Sequence, residues 1–447
     1  MGWSYTFDDL AQALQAEAPA CPGEFRGVST DTRTMKPGDA FFALRGDRFD
    51  GNQFVAEAFK RGASVAVASE PHSEGPCVIA EDPQGALQTF AAFHRNRYSM
   101  PLLALTGSCG KTMTKDLTAA ILETKYRVVR TKGNLNNEIG CPLSLLQIDD
   151  ATEFAVIEMG ANHPGEIARL CELARPTESA ITLVAPAHLE GFGSIENVAK
   201  AKAEIIAGLQ SGGTFYLNTD DAWCVRMGEL HEVPKVRFGR SGDVALRSIR
   251  TDDAGETVLD IEPIGPLRLP LVCLAHASNV LLAVAVGLRH GIETFEEPLR
   301  AALAASTRFK VLRIGPVEVL DDTYNANPAS VAAALRTLAA RPGKGPKIAA
   351  LGEMLELGAA AGDLHRQAGA LAGGLGITHL FARGPHAADM VAAARGADLP
   401  YAEALDTHEA IAEAICAVAQ PGAVVLVKGS RGMAMERVID ALKQRLS

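Results

Sequence analysis

Leu102-Leu103-Ala104-Leu105-Thr106-Gly107-Ser108-Cys109-Gly110-Lys111-Thr112 reads as a buried strand running into a glycine-punctuated turn. Downstream, Met113, Leu117, Ala120 and Ile121 recur at i, i+4, i+7 and i+8, which gives a helix one apolar face. Strand, turn and helix in this order are the setting of a phosphate-binding loop. Gly107 and Gly110 let the backbone curl so that its N–H groups point at phosphate oxygens, and the helix N-terminus adds positive potential. Lys111 is placed to reach the β- and γ-phosphates, and the Thr112 hydroxyl to ligate Mg²⁺. The strict eight-residue pattern is not met, because Leu105 stands at its first Gly position. An ordinary turn capping a helix would use the same glycines. The strand and helix around them favour nucleotide binding, with Thr106 to Thr112 as the ATP contacts.

Outward from this loop, short apolar runs alternate with helical patterns, the signature of α/β architecture with mostly parallel sheets. Before the loop, strands are expected at 40–44, 64–68 and 77–80, with a helix around 54–61. The polar run 95–99 ahead of Pro101 makes a first boundary. After the loop, strands are expected near 128–129, 154–157 and 180–184. Residues 235–270 are punctuated by Gly and Pro and suggest a small antiparallel section, followed by a helix over 275–289. A third α/β unit begins near Val311, with strands at 317–320, 348–351, 379–382 and 424–427 and helices such as 329–340 and 408–419. At about 150 residues per domain, 447 residues fit three domains, placed at 1–99, 100–310 and 311–447.

Composition narrows the function. Hydrophobic residues make up 47% of the chain, enough for sizeable cores. With 43 Lys and Arg against 53 Asp and Glu, the net charge is −10. That balance argues against a protein built to coat nucleic acid, without excluding a local phosphate site. The eight cysteines are scattered without a C-x-x-C pair and read as reduced thiols of a cytoplasmic protein. No signal peptide is visible at the N-terminus. The uncharged stretch 269–288 is interrupted by Pro270, His276, Ser278 and Asn279, so its second half reads as a buried helix, not a membrane span. Nothing demands a dimer, and a monomer is expected.

Ligands of parallel sheets gather at the carboxyl ends of strands. The apolar run 154–157 ends in Glu158, a carboxylate placed one strand from the phosphate loop to hold a metal ion. The run 180–184 leads to His188 at the same kind of position. The charged run Ala199-Lys200-Ala201-Lys202-Ala203-Glu204 would by itself be a solvated helix face. Asn134, Asn136 and Asn137 crowd one loop, where amides either satisfy the backbone or read a polar ligand. In the third unit, one strand exits into Asp321-Asp322-Thr323-Tyr324-Asn325-Ala326-Asn327-Pro328. Another exits into Lys428-Gly429-Ser430-Arg431-Gly432, and a third into Gly352-Glu353-Met354-Leu355-Glu356-Leu357-Gly358 with His365 beyond. Three polar exits suggest that this edge also faces a site.

The segments TGSCGKT, KGNLNNEIGCP, IEMGANHPGEI, PAHLEGFGS, AKAEI, DDTYNANP, LGEMLELG and KGSRGMAMERV, in this order, resemble the Mur ligase family. The N-terminal GVSTDTRTMKPGDAFFALRGDRFDGNQFV resembles that family's uridine-binding domain. The resemblance implies a central P-loop ATPase-like parallel sheet, flanked by an N-terminal UDP-sugar-binding α/β domain and a C-terminal Rossmann-like domain. It implies an ATP-dependent amide ligase that works through an acyl phosphate in the last cytoplasmic peptide addition of peptidoglycan precursor synthesis. Its substrates would be UDP-N-acetylmuramoyl-tripeptide and D-Ala-D-Ala.

By the same resemblance, Lys111, Glu158, His188 and Lys202 are catalytic. Thr112 and Glu158 would serve one Mg²⁺, and His188 with Lys202, the latter carbamylated by CO₂, a second. Asn279, Arg308 and Asp322 would contact ATP. Ser29, Asp31, Arg33 and Arg45 would contact the nucleotide sugar, and Asn134, Asn136 and Asn137 the muramoyl-peptide. Tyr324, Asn325, Lys428, Ser430 and Arg431 would border the dipeptide. Two departures stand out ahead of and within the adenine-contacting helix: Ser278 precedes Asn279, and Leu282 replaces a second Asn. A different class, a nucleotide-binding switch without turnover, would leave Lys202 idle.

Overall fold

The computed structural model describes residues 2–46, 49–252, 256–343 and 345–446. Asp47 and Arg48 of the N-terminal motif, and 253–255 within the section expected to be antiparallel, lie outside the described residues.

The phosphate-loop strand Leu102–Thr106 sits inside a nine-stranded sheet, between Phe154–Glu158 and Glu178–Ile181. Val128–Arg130 lies beyond the first of these, and Thr214–Asn218, Lys235–Gly239 and Val244–Thr251 beyond the second, all paired in parallel. The chain leaves Leu102–Thr106 toward one edge, returns to Phe154–Glu158, then crosses to the other side. That reversal opens a crevice at the strand ends, the place where doubly wound sheets bind ligands.

The antiparallel section expected over 235–270 is there but starts later. Lys235–Gly239 and the start of Val244–Thr251 continue the parallel sheet, and only Val244–Thr251, Thr257–Glu262 and Gly265–Leu269 form an antiparallel ribbon. Leu259, Ile261, Leu267 and Leu269 on that ribbon are buried in one core with the helix Ala277–Arg289, which ties the ribbon to the main sheet. From Val280 to Val286 the helix is apolar all round because it lies inside this core. Each fully buried Val or Leu there contributes roughly 1.5–3 kcal/mol. No helix among the described residues is long and apolar enough to cross a membrane.

The strand expected at 180–184 is Glu178–Ile181 instead. Residues 182–185 leave the ladder because they hydrogen-bond the phosphate loop: Ser108 N–H donates to Leu183 O at 2.9 Å and Ala185 N–H to Ser108 Oγ at 3.0 Å.

Gly27–Ser29, Asp39–Phe42, Val65–Ala68 and Cys77–Ile79 build a four-stranded parallel sheet in the N-terminal segment. The polar run 95–99 is docked rather than loose. The helix Pro83–Arg95 runs into it, and the buried Arg95 guanidinium donates to Ala174 O at 2.8 Å. Beside it, Tyr5 OH meets His94 Nδ1 at 2.8 Å, His94 Nε2 meets Ile148 O at 2.8 Å, and Trp3 Nε1–H donates to Leu146 O at 3.1 Å. One hydrophobic core therefore runs from the N-terminal segment into the central sheet.

A six-stranded sheet occupies the C-terminal segment, in the order Lys310–Ile314, Val317–Asp322, Val424–Lys428, Lys347–Gly352, His379–Arg383 and Tyr401–Ala404. The first pair is antiparallel and the rest parallel. The two edge strands escape the sequence reading because both are largely solvent-facing and lack a continuous apolar run.

Candidate functional site

The phosphate loop takes the geometry its glycines allow. Gly107 has φ +146° and Gly110 φ +87°. A Cβ on Gly107 would lie 1.9 Å from Thr182 Oγ1, so the position admits no side chain. Thr182 Oγ1–H donates to Cys109 O at 2.5 Å, and Ser108 Oγ–H to Ala185 O at 2.8 Å, which pins the loop to the neighbouring segment. Lys111 opens the helix Lys111–Leu122 and folds back to Gly107 O at 2.7 Å.

Glu158 ends its strand one position over, buried at 1% exposure. Its N–H donates to Thr131 Oγ1 at 3.0 Å and its Oε1 accepts from Asn136 Nδ2 at 2.7 Å. Oε2 is buried with no hydrogen-bond partner among the described residues. A bare carboxylate oxygen and the Thr112 hydroxyl, lining one cavity, are a donor set that suits Mg²⁺. Thr131 O in turn accepts from the buried Lys115 Nζ at 2.8 Å, so the loop carrying the asparagines is fixed at its root. Asn137 Oδ1 accepts from Gly140 N–H at 2.9 Å and so serves the next helix.

Lys202 sits in the helix Ile195–Ala207 with 2% exposure. It does not form the solvated face that its charged run would suggest. Among the described residues no hydrogen bond or ion pair holds its Nζ; the Phe192 ring lies 6.0 Å away. Burial first, and the nearby Lys111 second, bring its pKa down to about 7. His188, at φ +51°, meets Glu356 Oε2 through Nδ1. Burial lowers the His188 pKa, and Glu356 works against that.

The third unit and the segment leading into it cover these groups. Arg308 Nη2 donates to Thr112 Oγ1 at 3.2 Å, and its guanidinium stacks on the Tyr324 ring. Asn327 caps the helix Pro328–Ala340 with Oδ1 while its Nδ2 donates to Ser108 O at 3.1 Å. Buried Lys428 bonds Asp322 Oδ2 at 2.6 Å and Asn325 O at 2.8 Å. Burial raises the Asp322 pKa, against the pull of Lys428.

A single cavity of about 440 Å³ joins Ser108 to Thr112, Asn134, Asn136, Asn137, Glu158, His188, Lys202, Asn279, Arg308, Asp322, Tyr324, Asn325 and Lys428. Of the remaining expected residues, Thr106 and Gly107 support the loop from behind. Ser430 and Arg431 do not line the cavity. Ser430 Oγ donates to Ala326 O at 3.1 Å and accepts from Leu355 N–H at 2.9 Å, while Arg431 pairs with Glu436 at 3.1 Å. Ser29, Asp31, Arg33 and Arg45 also lie off it; Ser29 bonds Asp31 O, Arg33 pairs with Asp31, and Arg45 faces Asp50.

At the two departures, Asn279 still lines the cavity and packs on Gly110, Leu282 is core, and Ser278 Oγ accepts from Asn218 Nδ2 at 3.5 Å. Sequence reasoning missed Thr182 and Lys115, whose roles are contacts made between elements, and gave Thr131, at the head of the asparagine loop, no role of its own. The acceptor-only Glu356 and the cap Asn327 stood in segments already singled out.

Glu353, His365 and His386 cluster near this edge. Their bonds run among themselves and to nearby backbone: His386 Nδ1 meets Glu353 Oε1 at 2.6 Å, Met354 N–H donates to His365 Nε2 at 3.0 Å, and His365 Nδ1 meets Ala361 O at 2.7 Å. The trio is a clasp for the turn that follows Glu353.

Three family models match in order: Mur ligase family, catalytic domain, over 24–90; Mur ligase middle domain over 105–287; and Mur ligase, glutamate ligase domain, over 307–431. The chain is 35% identical to the UDP-N-acetylmuramoyl-tripeptide--D-alanyl-D-alanine ligase of Escherichia coli K12, over 99% of each protein. It is 32% identical to the ligase of the same name from Bacillus subtilis, over 94% of each. Among solved structures, MurF from Acinetobacter baumannii superposes with a TM-score of 0.90 at 30% identity, covering 99% of both chains. MurF ligase from Thermotoga maritima in complex with ADP gives 0.82 at 28% identity, covering 94% of this chain and 98% of that one. With the phosphate loop, the strand-end carboxylate and the third-unit contacts in one crevice, the chain belongs to the Mur ligase family.

Proposed function

We propose that this chain is the ATP-dependent ligase that joins D-alanyl-D-alanine to UDP-N-acetylmuramoyl-tripeptide. The observation that carries the reading is the shared cavity: phosphate loop, bare Glu158 oxygen and Lys202 face Arg308, just ahead of the third unit, and Asp322 and Lys428 within it. The boundaries 1–99, 100–310 and 311–447 then correspond to nucleotide-sugar recognition, ATP handling and dipeptide capture. Ser29, Asp31, Arg33 and Arg45 take the uridine end.

A carboxylate oxygen of the tripeptide attacks the γ-phosphorus, the bond to the β-bridging oxygen breaks, and ADP leaves. The dipeptide amine then attacks the acyl carbon, phosphate departs with its bridging oxygen, and the amine loses a proton. The first step brings anions together, so Lys111 and the loop N–H groups must face the γ-phosphate. Thr112 and Glu158 would hold one Mg²⁺, and His188 with carbamylated Lys202 a second; the ions supply positive charge against the phosphate oxygens. Neutral Lys202 is the form that adds CO₂, its nitrogen bonding the carbon as one proton leaves, and burial makes that form abundant near neutral pH. Asn134, Asn136 and Asn137 offer amides to the muramoyl-peptide. Arg308 and Asp322 close on the nucleotide with Asn279, and Tyr324, Asn325 and Lys428 border the dipeptide. Ser430 and Arg431 act from behind, through the loop they shape.

The test is ADP release coupled to amide formation with both substrates. Phosphate without the amide product, or no phosphate at all, refutes the assignment. Replacing D-Ala-D-Ala with a single amino acid separates it from sibling ligases. Lys202→Ala loses most activity, and short carboxylic acids partly restore it.

A further inference from the structure

We infer that Glu356 is a positioning residue for His188, delivered from the third unit, so that His188 is aimed only when that unit is closed on the central sheet. The inference rests on the proposed role of His188.

Two residues in left-handed backbone meet here across the crevice: His188 at φ +51° and Glu356 at φ +64°. Non-glycine residues held in that region mark places where surrounding structure imposes a geometry. Both are held. His188 caps the helix Leu189–Phe192, its carbonyl accepting from Gly191 N–H at 3.0 Å and Phe192 N–H at 3.1 Å. The turn bearing Glu356 is fastened on each side. Met354 N–H donates to His365, Leu355 N–H to Ser430 Oγ, and the Glu353 carboxylate takes His386 Nδ1–H. Leu357 is buried. Glu356 O accepts from Glu190 N–H at 3.3 Å, a second bond across the same junction. With its backbone fixed, the Glu356 carboxylate is what reaches the imidazole.

A carboxylate accepts only, so His188 donates through Nδ1–H and its Nε2 keeps a free lone pair. His188 lines the cavity with Lys202 and Lys111. A carboxylate behind a ligating histidine fixes its tautomer and raises its basicity. The third unit therefore supplies more than substrate contacts. It sets the donor atom of a central-domain ligand.

The experiment uses full-length protein with ring-¹⁵N-labelled histidine at pH 8, with and without ADP, the His188→Asn variant identifying the His188 signals. The expected result is protonated Nδ1 and bare Nε2 at His188 in the wild type. Glu356→Ala should return it to the Nε2–H tautomer that free histidine prefers. Glu356→Gln, which keeps shape and an acceptor, should fall between them and controls for folding. Mn²⁺ binding in the presence of a non-hydrolysable ATP analogue should show one ion unaffected and a second weakened about 10–100-fold in Glu356→Ala, with kcat falling in step and KM for ATP unchanged. An unaltered tautomer in Glu356→Ala, or an unaltered second ion, overturns the inference. The tautomer is read without tripeptide or dipeptide, so its failure is distinct from failure of the proposed reaction.

Discussion

Replacing Lys202 with Met should make the protein more stable and leave it without activity. The ammonium is buried, has no hydrogen-bond or ion-pair partner among the described residues, and lies near Lys111. Its pKa falls from an ordinary 10.5 to about 7. Between these values the unfolded chain binds more protons than the folded one, so stability rises with pH across that window and the penalty is complete below it. At about 1.4 kcal/mol per tenfold change in proton affinity, the penalty is on the order of 5 kcal/mol below pH 7. Met fills similar volume without a charge, and local relaxation reduces the gain to roughly 2–4 kcal/mol. The assay is urea unfolding in metal-free, CO₂-free buffer at pH 6.5 and 9.5, followed by far-UV circular dichroism and by the fluorescence of Trp3 and Trp223, the latter one residue from Cys224, which lies near Lys202. Lys202→Met should be the more stable protein at pH 6.5, with the difference shrinking at 9.5. A variant less stable than wild type at pH 6.5 would mean that the ammonium is paired, and the argument for a neutral, CO₂-reactive amine would fall with it.

Gly107→Ala places a methyl 1.9 Å from Thr182 Oγ1 at a φ that L-residues avoid, so ADP affinity by calorimetry should fall at least tenfold while far-UV circular dichroism is retained. His94, its pKa lowered to about 4 chiefly by burial, leaves the unfolded chain holding more protons between pH 4 and 6.5. Stability is present above 6.5 and lost as pH falls toward 4, by about 3 kcal/mol, and His94→Gln should flatten that slope in denaturant titrations across the range. Asn327→Asp keeps the helix-capping oxygen but loses the donor to Ser108, so kcat should drop about threefold to tenfold with stability held. Asn327→Ala should lose about 1 kcal/mol of stability as well.

Much of this fold was readable because buried parallel strands are continuous apolar runs and the phosphate loop carries its own grammar of glycines. Leu102–Thr106 and Phe154–Glu158 emerged close to their true bounds for that reason. Glu178–Ile181 was misplaced because residues 182–185 keep an apolar character while bonding a loop instead of a strand. The antiparallel ribbon was legible from its turns, which are local signals, whereas the parallel pairing of Lys235–Gly239 and the packing against Ala277–Arg289 depend on the fold. At the site, charge type was legible and environment was not. Lys202 lies in a run that reads as solvent-facing, and only the fold buries it. The family resemblance supplied its importance without the physical cause. Ser430 shows the converse: a hydroxyl beside two cations suggested ligand contact, yet it ties three loops together.

The carboxamide of Asn327 divides its two ends between two bodies. Its oxygen belongs to the helix Pro328–Ala340 whatever the distance to the phosphate loop, and its nitrogen alone reaches Ser108. Parting the units at this point therefore costs one neutral hydrogen bond, about 1 kcal/mol, and leaves no helix uncapped. A contact that comes undone without unravelling either side is re-made as cheaply as it breaks, so this junction ties the two units together without making either depend on it.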